Sequence, residues 1–212
     1  MVGRSTPKEG VAFDPDRTAV VLVEFQRQWT DSGLYNLLIR RSLKRRNVVE
    51  QTRETVRAAR SAGVTVVHAP LRIDPDRKNG WLATLTRGNV FTAGTKKAEF
   101  TPGLYEEGDP VAEGRHTFDA FEGSDLAAIL DANDIQTVFL AGFITDQCIA
   151  ESLETALDHG YDAYLLADLT ATYSAIIQRR TERRFGDRAV SSTAVTSELE
   201  STGDPHEAVT SG

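Results

Sequence analysis

The stretch that most constrains this chain is Val138-Phe139-Leu140-Ala141-Gly142-Phe143-Ile144-Thr145-Asp146-Gln147-Cys148-Ile149. Its first part is continuously apolar rather than alternating, the pattern of a strand buried on both faces of a sheet. Past the glycine, Ala150 to Leu157 repeats apolar residues at helical spacing, with Thr145 or Asp146 as the expected N-cap. Cys148, the only cysteine in the chain, thereby falls in the first turn of a helix just beyond the carboxyl end of a strand. Unpaired N–H groups and the helix dipole favour an anion there, which lowers a thiol's pKa toward the nucleophilic thiolate. Two readings fit a lone cysteine at that place: a buried structural residue, or a nucleophile at the kind of turn where sheet enzymes put reactive groups.

The same grammar recurs along the chain. Thr18 to Phe25 is an apolar strand that ends in Glu24. A carboxylate in that place is either an ordinary strand-end charge in solvent or one that faces a cleft or pairs with a base, because burying it alone is costly. After a loop around Trp29 to Gly33, Val48, Val49, Thr52, Val56, Ala59 and Ala62 recur at helical spacing, and Gly63 ends the pattern. A second strand, Val64 to Pro70, follows at once and requires a right-handed crossover. It carries His68, whose commonest role at a strand end is structural. Further strands are expected at 110–113, from Gln136, at 161–168 and at 189–192, with helices over 126–133 and 174–184 between them. The fold class that follows is α/β, a three-layer α/β/α sandwich around a mostly parallel six-stranded sheet. Glu24, Arg115 and Cys148 each come directly after a strand, so they converge where such sheets bind ligands, outside the carboxyl ends of the strands.

With 212 residues, 40% of them hydrophobic, the chain suits one domain, set at 13–196 between an N-terminal arm (1–12) and a polar, disordered C-terminal tail (197–212). A formal charge of −7 argues against nucleic-acid and anionic-membrane partners. No apolar run approaches the roughly 20 residues of a membrane helix. A single cysteine and an amino terminus without an apolar signal region point to the cytoplasm. The irregular segment 71–108 is where substrate specificity or a subunit contact is expected, with Arg72 and Arg77 available to an anionic group.

Three separated pieces of the sequence together resemble the isochorismatase-like cysteine hydrolases, the family of nicotinamidases, N-carbamoylsarcosine amidohydrolase and related amidases. They are Ala19-Val20-Val21-Leu22-Val23-Glu24-Phe25-Gln26, Glu113-Gly114-Arg115 with Phe121-Glu122-Gly123-Ser124-Asp125-Leu126, and Leu140 to Ala150. The resemblance implies a triad of Asp, Lys and Cys, whose positions fall here on Glu24, Arg115 and Cys148. It implies a cis peptide at Phe143–Ile144, and an oxyanion hole from the backbone N–H groups of Ile144 and Cys148. Phe25, Trp81, Phe143 and Arg72 are the expected substrate contacts. The departures matter chemically. Glutamate keeps a carboxylate able to move the thiol proton, whereas a guanidinium stays charged and serves to stabilise the thiolate, hold Glu24 ionised or clamp a substrate carboxylate. No Asp-x-His set follows the second strand and the other histidines are scattered, so no metal and no other cofactor is expected.

The expected function is cysteine-dependent hydrolysis of a carbon–nitrogen bond in a small amide, ureido or related metabolite, through a thioester at Cys148. The alternative is a catalytically altered or silent member that binds a small metabolite or serves as an assembly subunit. Acid catalysis of enol-ether cleavage, a third chemistry in the family, occurs in members without the cysteine. The expected partners are a small-molecule substrate and further copies of the chain, in a dimer or tetramer.

Overall fold

The computed structural model describes residues 11–31, 33–74 and 90–202. Each buried strand is a continuous apolar run because both of its faces meet helices. Strand β1 (Thr18–Val23) sends Val20 and Leu22 into one core and Ala19, Val21 and Val23 into the other. A short helix α1 (Arg27–Thr30) follows it. Helices α2 (Leu34–Arg46) and α3 (Val48–Ser61) meet at Asn47, whose left-handed backbone breaks one helix from the next. Helix α3 buries Val48, Thr52, Thr55, Val56 and Ala59, the face read from the sequence. It closes as predicted at Gly63: the Gly63 N–H donates to the Arg60 carbonyl and the Val64 N–H to that of Ala59.

Strand β2 (Thr65–Ala69) then pairs parallel with β1. Helix α4 (Leu126–Ala132) leads to β3 (Thr137–Phe143), and a π-helical turn, Thr145–Ile149, leads to α5 (Ala150–Asp158). Strand β4 (Asp162–Ala171), helix α6 (Ala175–Phe185), the two-residue β5 (Ala189–Val190) and α7 (Ser192–Thr202) complete the order. The five strands are all parallel in the order β2-β1-β3-β4-β5. Helices α2, α3 and α7 cover one face and α4, α5 and α6 the other. The chain runs outward from β1 to β2 and then returns to the other side of β1 with β3. The switch point of the sheet therefore lies between β1 and β3, beneath Glu24 and Cys148.

Three expectations need correction. The sheet has five strands rather than six: residues 110–113 make only a bridge of Val111 to His68, because Pro110 offers no N–H and the segment leaves at once. Residues 197–202 belong to α7, so the ordered chain continues past the boundary at 196. Ser192, Val195 and Leu199 are buried at helical spacing along it, and the Asp168 carboxylate accepts from both the N–H and the hydroxyl of Ser192. At the other end Val11, assigned to the arm, is core. Neither Thr145 nor Asp146 caps α5. Thr145 donates instead to Gln178 (2.8 Å), and Asp146 accepts from Thr172 (2.5 Å).

Gly142 is required by β1. A Cβ built there would stand 1.9 Å from the Val23 carbonyl oxygen, on a backbone with φ 135°. Gly142→Ala forces the central pair of strands apart, and its expected cost is about 3 kcal/mol or more. Urea unfolding followed by circular dichroism measures it; a loss under about 0.5 kcal/mol would show that the strands accommodate a methyl group there.

Candidate active site

Glu24, Arg115 and Cys148 come together, each delivered by a different break in regular structure. At the end of β1, Glu24 takes φ 57°, a left-handed conformation that costs a non-glycine residue about 1–2 kcal/mol. That turn directs its carboxylate inward, where the residue is 1% exposed. One oxygen accepts from Arg115 Nη2 at 2.8 Å and the other from the indole N–H of Trp29 at 2.9 Å. The carboxylate faces the same cavity as the Cys148 thiol.

Arg115 is as buried as its partner, and its guanidinium is committed to the protein. Besides Glu24 it donates to the carbonyls of Ala69 (3.2 Å), Thr117 (3.1 Å), Asp119 (3.2 Å) and Phe118. Five acceptors surround one side chain, two of them sharing the Nε–H, which is more than the three N–H groups of a lysine ammonium would serve singly. The arginine is thus both a counter-charge and the staple that shapes residues 115–119, one of which, Phe118, walls the pocket. Arg115 does not itself line that pocket, so the fork is not presented to a substrate carboxylate.

Cys148 sits in the π-helical turn, 3% exposed. The turn is tied down by Ser152, whose hydroxyl donates to the Cys148 carbonyl (2.6 Å) and accepts from the Ala120 N–H (2.8 Å). The Phe143–Ile144 peptide is cis, as the resemblance implies. Burial, and after it the Glu24 charge, push the Cys148 thiol well above its ordinary value, against the pull of Arg115 and the Ile144 N–H. The resting residue is therefore a thiol rather than the thiolate expected from the helix terminus alone. A raised pKa leaves less thiolate at any given pH. Alkylation by iodoacetamide should accordingly be slower at pH 7 than that of an unfolded control, with the rate still climbing at pH 9. A rate that levels off below pH 8 in intact-mass assays would contradict this.

Glu24, Ile144, Gln147 and Cys148 form part of the wall of a cavity of about 190 Å³. The rest is Trp29, Tyr35, Phe91, Phe118 and Tyr173, with Leu38 and Ile39 from α2. Trp29, Tyr35 and Phe91 pack edge to face with ring centroids 5.0–6.2 Å apart. Phe91 is held by its N–H, which donates to the Gln28 side chain (2.7 Å). Burial and then the Glu24 charge raise the Tyr35 phenol above its ordinary value, so it remains protonated at neutral pH.

The expected substrate contacts fare differently from the triad. Phe25 and Phe143 pack at a tilt with ring centroids 4.7 Å apart inside the core, outside the pocket wall. Arg72 lies over the Phe100 ring at 4.7 Å and lines a separate cavity with His116. Trp81 and Arg77 lie outside the described residues. His68 is structural: Nε2 meets Asp109 at 3.0 Å, and burial lowers its pKa. The aromatic wall was missed: Tyr173, just past β4, carried the strand-end signal that singled out Glu24, but Trp29 and Tyr35 sit on α1 and α2.

The family model described as isochorismatase domain matches residues 18–193. Among curated proteins, the ureidoacrylate amidohydrolase of Methylorubrum extorquens is 26% identical over 180 residues, covering 76% of this chain and 73% of the relative. The maleamate amidohydrolase of Pseudomonas putida is 27% identical over 150 residues, 68% of each chain. Among solved structures, a cysteine hydrolase from Pseudomonas syringae pv. phaseolicola superposes with a TM-score of 0.80 at 20% identity, covering 93% of this chain and 99% of that one.

Proposed function

The chain belongs to the isochorismatase domain family, and we propose that it hydrolyses an amide carbon–nitrogen bond through a covalent thioester on Cys148. The observation that carries the reading is the Cys148 thiol and the buried Glu24 carboxylate side by side in the wall of one largely apolar pocket. Relatives named as amidohydrolases support the reaction class.

In this mechanism the substrate carbonyl lies against Cys148 and the Ile144 and Cys148 N–H groups. As sulfur forms its bond to the carbonyl carbon, the thiol proton passes to Glu24. The tetrahedral oxyanion is held by the two backbone donors. Glu24 returns the proton to the departing nitrogen as the carbon–nitrogen bond breaks, leaving the thioester. Water then adds to the thioester with Glu24 again as base, and the acid product leaves as the thiol is restored. Arg115 acts through Glu24: it keeps the carboxylate placed and charge-matched, and touches no reacting atom.

Ammonia release from a panel of primary amides tests the reaction. Cys148→Ala is expected to lower turnover by about 10,000-fold or more, and acid-quenched protein should carry the acyl mass on Cys148. Turnover retained in Cys148→Ala would exclude the thioester route. No turnover and no acyl adduct with any amide would favour a catalytically silent family member.

A further inference from the structure

The reaction above leaves open what kind of amide enters, and the charge of the pocket bears on it. Among the described residues of the wall, Glu24 is the one carboxylate, and there is no Lys, Arg or His. That carboxylate is already matched by Arg115 at 2.8 Å, with both side chains 1% exposed. The nearest alternatives are turned elsewhere. Arg72 belongs to a different cavity, and Arg41 and Arg45 line a neighbouring groove that shares only Leu38 and Tyr173 with this one. Among the described residues, therefore, a substrate carboxylate would stand desolvated beside Glu24 with no cation of its own.

What the wall does offer is surface for an uncharged group. Trp29, Tyr35, Phe91, Phe118 and Tyr173 present rings, and Leu38 and Ile39 present aliphatic carbon. The cavity measures about 190 Å³; an apolar cavity of about 150 Å³ takes up benzene. One six-membered ring or a branched aliphatic group of similar bulk fits, with its amide carbon at the sulfur.

We propose that the substrate is an uncharged amide bearing a single aromatic ring or a branched aliphatic group, and that the pocket discriminates against amides carrying a carboxylate. This deepens the hydrolase reading and rests on it. It also sets the chain apart from relatives named for ureidoacrylate and maleamate, which are themselves carboxylates.

The test separates binding from chemistry. Benzamide and 3-methylbutanamide are titrated against maleamate and succinamate on the Cys148→Ala protein by calorimetry, and ammonia release is followed with the unmodified protein. The neutral amides are expected to bind at least roughly tenfold tighter. Carboxylates binding as tightly or more tightly, or no binding by the neutral amides, overturns the substrate class. If carboxylates also turn over faster, the hydrolase reading survives that loss. Neutral amides that bind but are never cleaved uphold the pocket's preference and defeat the hydrolase reading instead. Leu38→Arg adds a cation at the half-exposed rim and should move the preference toward maleamate by roughly tenfold. An unchanged ratio would mean that the apolar wall is not what discriminates.

Discussion

Glu24→Gln is expected to lower kcat/KM by about 100- to 10,000-fold, the usual worth of a positioned acid–base group, while making Cys148 easier to alkylate at pH 7. The two effects run in opposite directions because they draw on different properties of one carboxylate. Turnover needs a group that takes the thiol proton and returns it to the leaving nitrogen; an amide side chain cannot. Alkylation needs only thiolate. Glu24 is the second-largest influence holding the thiol protonated, whereas Arg115 pulls the other way and remains in the variant. Parallel measurements of ammonia release and alkylation rate, made where circular dichroism shows the variant folded, decide it. If both rates fall together, Glu24 acts on the thiol as an ordinary activating base and the protonated resting state is wrong.

Arg115→Met should cost about 3–5 kcal/mol of stability, because it strands a carboxylate in a place that is 1% exposed. For a chain of this length that corresponds to a fall in Tm of about 6–20 °C. The double variant Glu24→Gln/Arg115→Met is expected to recover part of the loss by removing the stranded charge. It will not recover all of it, since the carbonyls of Thr117 and Phe118 lose the Arg115 donor outright, while those of Ala69 and Asp119 keep the Glu24 N–H and the Thr117 hydroxyl. Thermal unfolding of the three variants gives the cycle directly. A loss under about 1 kcal/mol for Arg115→Met would mean that water or another group reaches Glu24, and the charge-matched site would have to be abandoned.

The strands were legible because burial on both faces writes itself as unbroken apolar sequence, as in Val20-Val21-Leu22-Val23 and Val138-Phe139-Leu140. Glu24 and Cys148 were legible because each lies just past a strand, whereas Arg115 follows only the bridge at Val111 and was marked by the resemblance to the family. What escaped was decided by tertiary packing. Phe25 and Phe143 have the chemistry of a substrate wall, but the pleat and the turn at Glu24 bury them against each other, while Trp29 and Tyr35 form the wall from helices whose tilt no local pattern encodes. The final helix was hidden by its many Ser and Thr residues; Val195 and Leu199, four apart, were the signal. The charge state of Cys148 was misread because a helix terminus argues for thiolate, whereas burial beside a carboxylate argues more strongly for thiol.

The bridge between His68 and Val111 has a consequence for how the protein behaves in a crowd of its own copies. Strand β2 lies at one end of the sheet, where its outward amides would template a further strand. There the His68 N–H donates to the Pro110 carbonyl and the Ala112 N–H to that of His68, occupying the middle of the ribbon, while Pro110 itself has no N–H to extend it. At the opposite end β5 is two residues long. Neither rim leaves a long run of open hydrogen-bonding sites, so accretion of chains strand upon strand, the route to fibrous aggregates, finds no purchase on the folded sheet.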